Sequence, residues 1–226
     1  MNNSTRLRRV SFLMLALFCV AKTARAQSQN LRHDTQIWND TQLVIPLNKK
    51  VEFVILGTLR LGRDVSRPVD ERIGLGFNIK AGKYVTLTPG YFYIAQQPIR
   101  NVKTFENRLI FAVTVKGPVG KGFVLGNRSL FERRIRHPPI DATRYRDRLQ
   151  VEHPFSIGDT KLNWFMADEI FYDWSFHAWV RNRFNIGVGH NFNKHVYGEV
   201  YYLRQNDGHA IKGNQNVIGT GLKFRL

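Results

Sequence analysis

Cysteine occurs once in this chain of 226 residues, at Cys19, so neither a disulfide framework nor a thiolate metal site can be built. Long apolar runs are equally scarce. The one sizeable run, Val10 to Ala21, falls well short of the ~20 residues a helix needs to cross a bilayer, and no sustained helical period follows residue 30. This excludes spanning by helices but not by strands, in which only every second residue meets lipid. The mean hydropathy of −0.31 is therefore no argument for solubility.

Catalytic and cofactor signatures are poorly represented too. There is no His-Glu-x-x-His, and the seven histidines, at 33, 137, 153, 177, 190, 195 and 209, have no metal-ligand spacing, although His190 and His195 flank one turn. Gly74-Leu75-Gly76 lacks the third glycine of a dinucleotide fingerprint. Gly117-Pro118-Val119-Gly120-Lys121-Gly122 lacks the spacing and hydroxyl of a phosphate loop. No cofactor and no metal is expected, and the chain reads as a non-enzyme. One arrangement carries an enzymatic alternative: Ser175 and His177, beside Asp173, could form the hydroxyl and base of a lipid esterase or deacylase.

What is present begins with a leader. Arg6, Arg8 and Arg9 precede the apolar run and Ala24-Arg25-Ala26 supplies small residues at a cleavage point, which reads as a signal peptide over residues 1–26 and a mature domain over 27–226. The leader holds Cys19 and five basic residues, Arg6, Arg8, Arg9, Lys22 and Arg25. Of 34 Lys+Arg the mature chain keeps 29 against 17 Asp+Glu, a formal +12.

After the leader, segments of alternating polarity recur, separated by polar, Gly or Pro breaks. In Lys50 to Leu61, Val51, Phe53, Ile55, Leu59 and Leu61 share one face, with Glu52, Thr58 and Arg60 on the other. Glu71 to Ile79, Val85 to Tyr93 and Phe105 to Val115 repeat the pattern, although Pro89 is awkward inside a central strand. Thr35–Ile45, Gly122–Arg134, Arg144–Phe155, Lys161–Tyr172, Trp179–His190, Lys194–Arg204 and Asn216–Leu226 bring the candidates to eleven. Breaks at 46–49, 80–83, 117–120 and 191–193 interleave with longer ones near 62–69, 96–102, 136–142 and 206–213. Short turns at one end and long loops at the other are the pattern of a transmembrane barrel.

The expected fold is thus all-β, an antiparallel up-and-down transmembrane β-barrel of 10–12 strands in the bacterial outer membrane. Twelve is preferred over ten, because single-chain bacterial barrels have even numbers, and residues 28–36 could hide the further strand. The closing strand would be read by the barrel-assembly machinery through Gly221, Leu222, Phe224 and Leu226. A soluble periplasmic β-sandwich or lipocalin-like carrier is the alternative, with the apolar faces buried against each other.

On the non-lipid face fall Arg60, Arg72, Glu106, Arg108, Arg128, Glu132, Arg134, Arg146, Arg148, Glu152, Glu169, Arg181 and Arg183. Inside a narrow lumen they form either a paired network that fills the interior or a basic constriction for a small anionic solute. Trp164, Tyr172, Trp174, Trp179 and Tyr202 suit an aromatic girdle where lipid meets water; packing and a ligand-stacking platform are the other readings. The excess positive charge is expected to meet lipopolysaccharide phosphates, through a basic loop of Arg133, Arg134, Arg136 and His137, or to line the lumen. Export argues against nucleic acid as the partner.

Several of these segments resemble a known family. Trp38, Arg72-x-Gly74-x-Gly76, Glu106-Asn107-Arg108-Leu109, Asn127-Arg128 with Glu132-Arg133, Arg144-x-Arg146-x-Arg148, Asp168-Glu169-x-Phe171 and Arg181-x-Arg183 leading to Gly187-x-Gly189 look like the domain of unknown function 2490 family, across nearly all of the mature chain. The resemblance implies a bacterial outer-membrane barrel with no assigned activity.

Overall fold

Period-two patterning forces each of these segments into an extended strand with unlike faces, and eleven such strands form one closed ring. The computed structural model describes residues 33–99, 101–137, 140–208 and 213–226; the leader expected over 1–26 lies outside them. The strands are β1 (His33–Pro46), β2 (Val51–Gly62), β3 (Arg67–Lys80) and β4 (Val85–Ile99). Next come β5 (Val102–Gly120), β6 (Phe123–His137), β7 (Ala142–Ile157) and β8 (Thr160–Asp173). β9 (Ala178–Asn191), β10 (Val196–Asp207) and β11 (Asn214–Arg225) complete the ring.

Each strand pairs antiparallel with the next, and β1 closes on β11 in parallel. Among the described residues the strand number is therefore eleven, not the preferred twelve, and residues 33–36 belong to β1 rather than to a hidden strand. An odd count of alternating strands leaves the first and last pointing the same way, so closure has to be parallel. The register keeps the two faces in phase: Ile37 lies beside Ile218 and Leu43 beside Phe224 on the outside, and Trp38 beside Gly219 on the inside. The seam is also stitched on its outer face, where Asn39 Nδ2 donates to Thr220 Oγ1 at 2.9 Å.

Gly219 is required here by space. Trp38 packs with Leu203 and Val217 under Tyr201, and a side chain at 219 would run into the Tyr201 ring. Pro89 is accommodated because the β3–β4 ladder skips it: paired residues resume only at Ile79 and Leu87, beyond Gly76 and Gly90, so its missing N–H breaks no bond.

The expected contrast between short turns and long loops is not realised. At the Pro46 end the connections are 47–50, 81–84, 121–122, 158–159 and 192–195. At the His33 end 63–66 and 174–177, the connections there that are described in full, are as tight. The strands run further than the alternation suggested, absorbing residues read as loop: β3 starts at Arg67, β4 reaches Ile99, and Asp173 and Asp207 are strand ends.

Outside, the barrel presents Ile73, Leu109, Phe111 and Phe131, each 45 to 58% exposed; inside lie the charges. A stacked-sheet sandwich is incompatible with this single ring, and a lipocalin-like carrier would place its polarity the other way round. Because the sequence has one cysteine, Cys19, which precedes the described residues, replacing Asn39 and Thr220 by cysteine should give an oxidised, faster-migrating species that reductant reverses. Thr41 with Thr220, out of register by two, should not cross-link.

Candidate functional site

The interior site is assembled by the strand period itself, since residues i and i+2 fall on one face. Glu106 and Arg108, Asp70 and Arg72, Arg144, Arg146 and Arg148, and Arg181 and Arg183 all point inward on this rule, and the register brings neighbours level. Glu132 stands opposite Arg144, and Glu169 between Arg148 and Arg183.

Three carboxylates organise the lattice. Glu106 accepts from Arg108 Nε at 2.6 Å and from Arg134 at 2.7 and 3.0 Å. Glu132, 1% exposed, accepts from Arg144 Nε at 2.7 Å, Arg146 NH1 at 2.9 Å and Arg108 NH1 at 3.3 Å. Glu169 takes a forked contact from Arg146, with NH2 at 2.7 Å, and a further bond from Arg128 at 2.9 Å. On the far wall Asp70 holds Arg72 through two bonds of 2.6 and 2.7 Å. Planar guanidinium forks suit such bidentate contacts.

Arginines also stack on two buried rings. Phe171, fully buried, has the guanidinium carbons of Arg146, Arg183, Arg144 and Arg181 at 4.7 to 5.6 Å from its centroid. Trp38 lies between Arg60 at 3.8 Å and Arg183 at 4.9 Å, while its Nε1 donates to Gln36 at 2.7 Å. Cation–aromatic contact of this desolvated kind holds like charges side by side.

Two cavities remain in the lumen. One, of about 340 Å³, opens toward the Pro46 end past Gln42, Tyr197 and Lys223. The other, of about 130 Å³, faces the His33 end between Gln36, Asp70 and Gln215. Trp38, Arg60, Arg72, Arg146 and Arg183 line both, so they form the partition that separates them. The larger cavity is walled by six arginines and Lys223 against the carboxylates of Asp40, Glu169 and Glu199. Three residues lining it, Arg60, Arg128 and Asn185, each keep a buried polar atom without a hydrogen-bond partner among the described residues: Nε, Nε and Oδ1. Among the described residues Arg60 makes no hydrogen bond and meets Asp70 at 3.8 Å.

All thirteen charges read as lumen residues lie on the inner face. Arg148 and Glu152 stand apart from the central lattice near the Pro46 end, where Arg148 donates to Gln150 and Lys116 holds Glu152 at 2.7 Å. Sequence reasoning missed Asp70, Arg144, Asp173 and Asp207, and the stacking roles of Trp38 and Phe171. Extending the same parity by one to three residues beyond the candidate segments would have found the carboxylates.

The aromatic residues divide. Tyr172, Trp174 and Trp179 join Phe131 and Tyr145 in an outward cluster at the His33 end, with centroid spacings of 5.1 to 6.3 Å. Trp164 packs with Phe123 and His153 at the opposite end. Tyr202 joins neither, and its hydroxyl donates to Asn216 at 2.8 Å.

Two other readings are corrected. Ser175 and His177 share the 174–177 turn without a hydrogen bond between them among the described residues, and Asp173 instead accepts from the Ser175 backbone N–H at 2.9 Å. The basic loop is strand. Arg134 turns inward to Glu106, Arg133 pairs with Asp141 at 3.0 Å, and Arg136 donates to the Ile140 carbonyl at 2.5 Å.

The family described as "Protein of unknown function (DUF2490)" matches residues 35–216. No curated protein matches the chain. Among solved structures it is similar to an anion-selective porin from Comamonas acidovorans, at 12% identity and a TM-score of 0.39. That match covers 78% of this chain and 54% of the porin, so this chain spans about half the porin's length. It is also similar to LpxR from Salmonella typhimurium at 8% identity, covering 77% of this chain and 83% of that one, with a TM-score of 0.47. The NanC porin matches at 9% identity over 81% and 93%, with a TM-score of 0.44. At these identities the likeness is one of fold.

Glu132→Gln should leave three guanidiniums without their shared negative charge, turn an NH2 donor toward one of them, and destabilise the barrel by about 3–5 kcal/mol. Glu152→Gln, at the exposed Lys116 pair, should cost less than about 1 kcal/mol. The denaturant midpoints of the two variants, compared with the parent, check the contrast.

Proposed function

From the premise that the chain belongs to the DUF2490 family, whose description assigns no activity, we propose that it is an integral outer-membrane barrel. Its lumen holds a small anionic solute in the cavity facing the Pro46 end and passes it through the Trp38 partition when that layer parts.

Membrane insertion is supported by the outward apolar face and by the two aromatic clusters at opposite ends of β6 to β9. On β8 these are Trp164 and Tyr172, eight residues apart. That is about 26 Å along a strand and, with barrel tilt, about 20 Å along the axis, close to the ~25 Å apolar band of such proteins. The leader expected over 1–26 supports export. Phosphate-bearing lipid headgroups and the assembly machinery, meeting the outward Leu222, Phe224 and Leu226 beside Gly221, are the partners this placement implies.

The observation that carries the solute reading is charge imbalance. Glu106 and Glu132 are saturated by arginines on the side toward the His33 end, whereas the larger cavity has seven cationic side chains for three carboxylates. Among the described residues Arg60 and Arg148 make no bond to a carboxylate there, and Lys223 makes no ion pair. In a low-dielectric wall such an excess draws in an anion, which supplies the missing acceptors.

Planar-bilayer recording of purified protein tests this. The parent should give small or brief conductance, because the partition is packed. Trp38→Ala, confirmed as folded by heat-modifiable migration, should give sustained conductance with an anion-directed reversal potential under a salt gradient. Cation selectivity, or silence in a folded Trp38→Ala, overturns the reading.

A further inference from the structure

The outward face is not uniformly apolar. Between the two aromatic clusters β6 to β9 carry Asp147 and Asp168, and β10 carries Arg204. Asp147 is self-contained, since Asn127, Ser129 and Tyr145 donate to it at 2.8 Å each. Asp168 is different. It occupies the middle outward position of β8, four residues from both Trp164 and Tyr172, and both its oxygens rely on the one amide nitrogen of Asn182, at 2.8 and 2.9 Å. A carboxylate has about four acceptor sites, so Asp168 keeps unused capacity.

Arg204 is its counterpart. The register runs Asp168 to Phe184 and Phe184 to Arg204, which puts the two charges in one lateral row with Phe184 between them. Two strand spacings, about 10 Å, separate them, and they form no ion pair within the chain. Arg204 gives Nε to Asn206 at 3.2 Å and NH1 to Asn216 at 2.9 Å; its NH2 makes no hydrogen bond among the described residues. Charges on a wall that meets hydrocarbon are rare unless paired.

We propose that the outward face of β8, β9 and β10 binds a second copy of this chain, about a two-fold axis that runs along the barrel and passes over Phe184. Such an axis exchanges left and right, and strand tilt inclines the row by about 40°, so Asp168 of one copy faces Arg204 of the other across about 6 Å of height, which the long arginine side chain spans, and the reciprocal pair forms on the far side. That is the self-complementarity an isologous interface demands. The two Phe184 rings meet at the axis, flanked by the outward Ile186, Val200 and Tyr202, which are 40 to 47% exposed. Both charges then leave lipid together, each finding the partner its own chain places out of reach.

Light scattering of the protein in mild detergent should report a dimer. Asp168→Arg and Arg204→Asp should each give monomer, and the two combined should restore the dimer, because the pair is reversed rather than removed. Phe184→Cys should oxidise to a covalent dimer in membranes, while Val113→Cys on β5, across the barrel, should not. A monomeric parent, failure of the double reversal to restore a dimer lost in the single variants, or equal cross-linking at 184 and 113 overturns the proposal. Lumen conductance enters none of these readouts, so the dimer and the solute pathway stand or fall separately.

Discussion

The structure depends on the pairing of inward arginines with a few inward carboxylates. A ring of eleven strands gives every strand one face to a narrow lumen, and this chain fills that face with guanidinium groups. Unpaired, each would carry a desolvation cost no neighbouring contact could offset. Glu106, Glu132, Glu169 and Asp70 turn that liability into a lattice, because each accepts from more than one donor and so ties strands together: Glu132 on β6 alone joins β5 and β7. The aromatic rings Phe171 and Trp38 do the rest, holding guanidinium planes against their faces where carboxylates are too few.

The same constraint explains why the outside is apolar. A strand of period two separates most of its charge from most of its apolar surface, so with the inner face committed to arginine the outer one receives Ile73, Leu109 and Phe111. Parallel closure fits this scheme without loss. β1 and β11 meet with inner residues beside inner and outer beside outer, and the only demand is room for Trp38 and Tyr201, which Gly219 provides.

Much of this was readable from residues alone. The segment Lys50 to Leu61 becomes β2 almost unchanged, and Arg72, Arg108, Arg146 and Arg183 fall inside on parity, because alternation is a local property of the chain. Strand ends were less legible. A bulge between Arg60 and Leu61 brings Val69 into the interior beside Asp70, against simple alternation, and Asp173 and Asp207 looked like loop because they lie past the last alternating apolar residues of their segments. Strand number was legible in the eleven alternating segments and was set aside only for the even-number rule, whereas closure was not legible at all. Whether β1 meets β11 is decided by residues from opposite ends of the chain, such as Asn39 with Thr220, and no local pattern reports a pairing at that separation. The Arg60, Trp38 and Arg183 stack is hidden for the same reason.

A lattice that saturates Glu132 with three arginines is rigid, since moving any one of them strips a buried bond from a carboxylate that is 1% exposed. Motion in the lumen must therefore concentrate where bonds are few, and Arg60 is the least tethered cation of the partition, held by a ring face and one long ion pair. Swinging Arg60 off Trp38 breaks no hydrogen bond, whereas moving Arg146 breaks several. An anion arriving from the larger cavity would offer Arg60 the acceptor it lacks. In the proposed pathway the solute itself thus supplies the free energy that unstacks the partition, and passage is coupled to occupancy of the basic cavity.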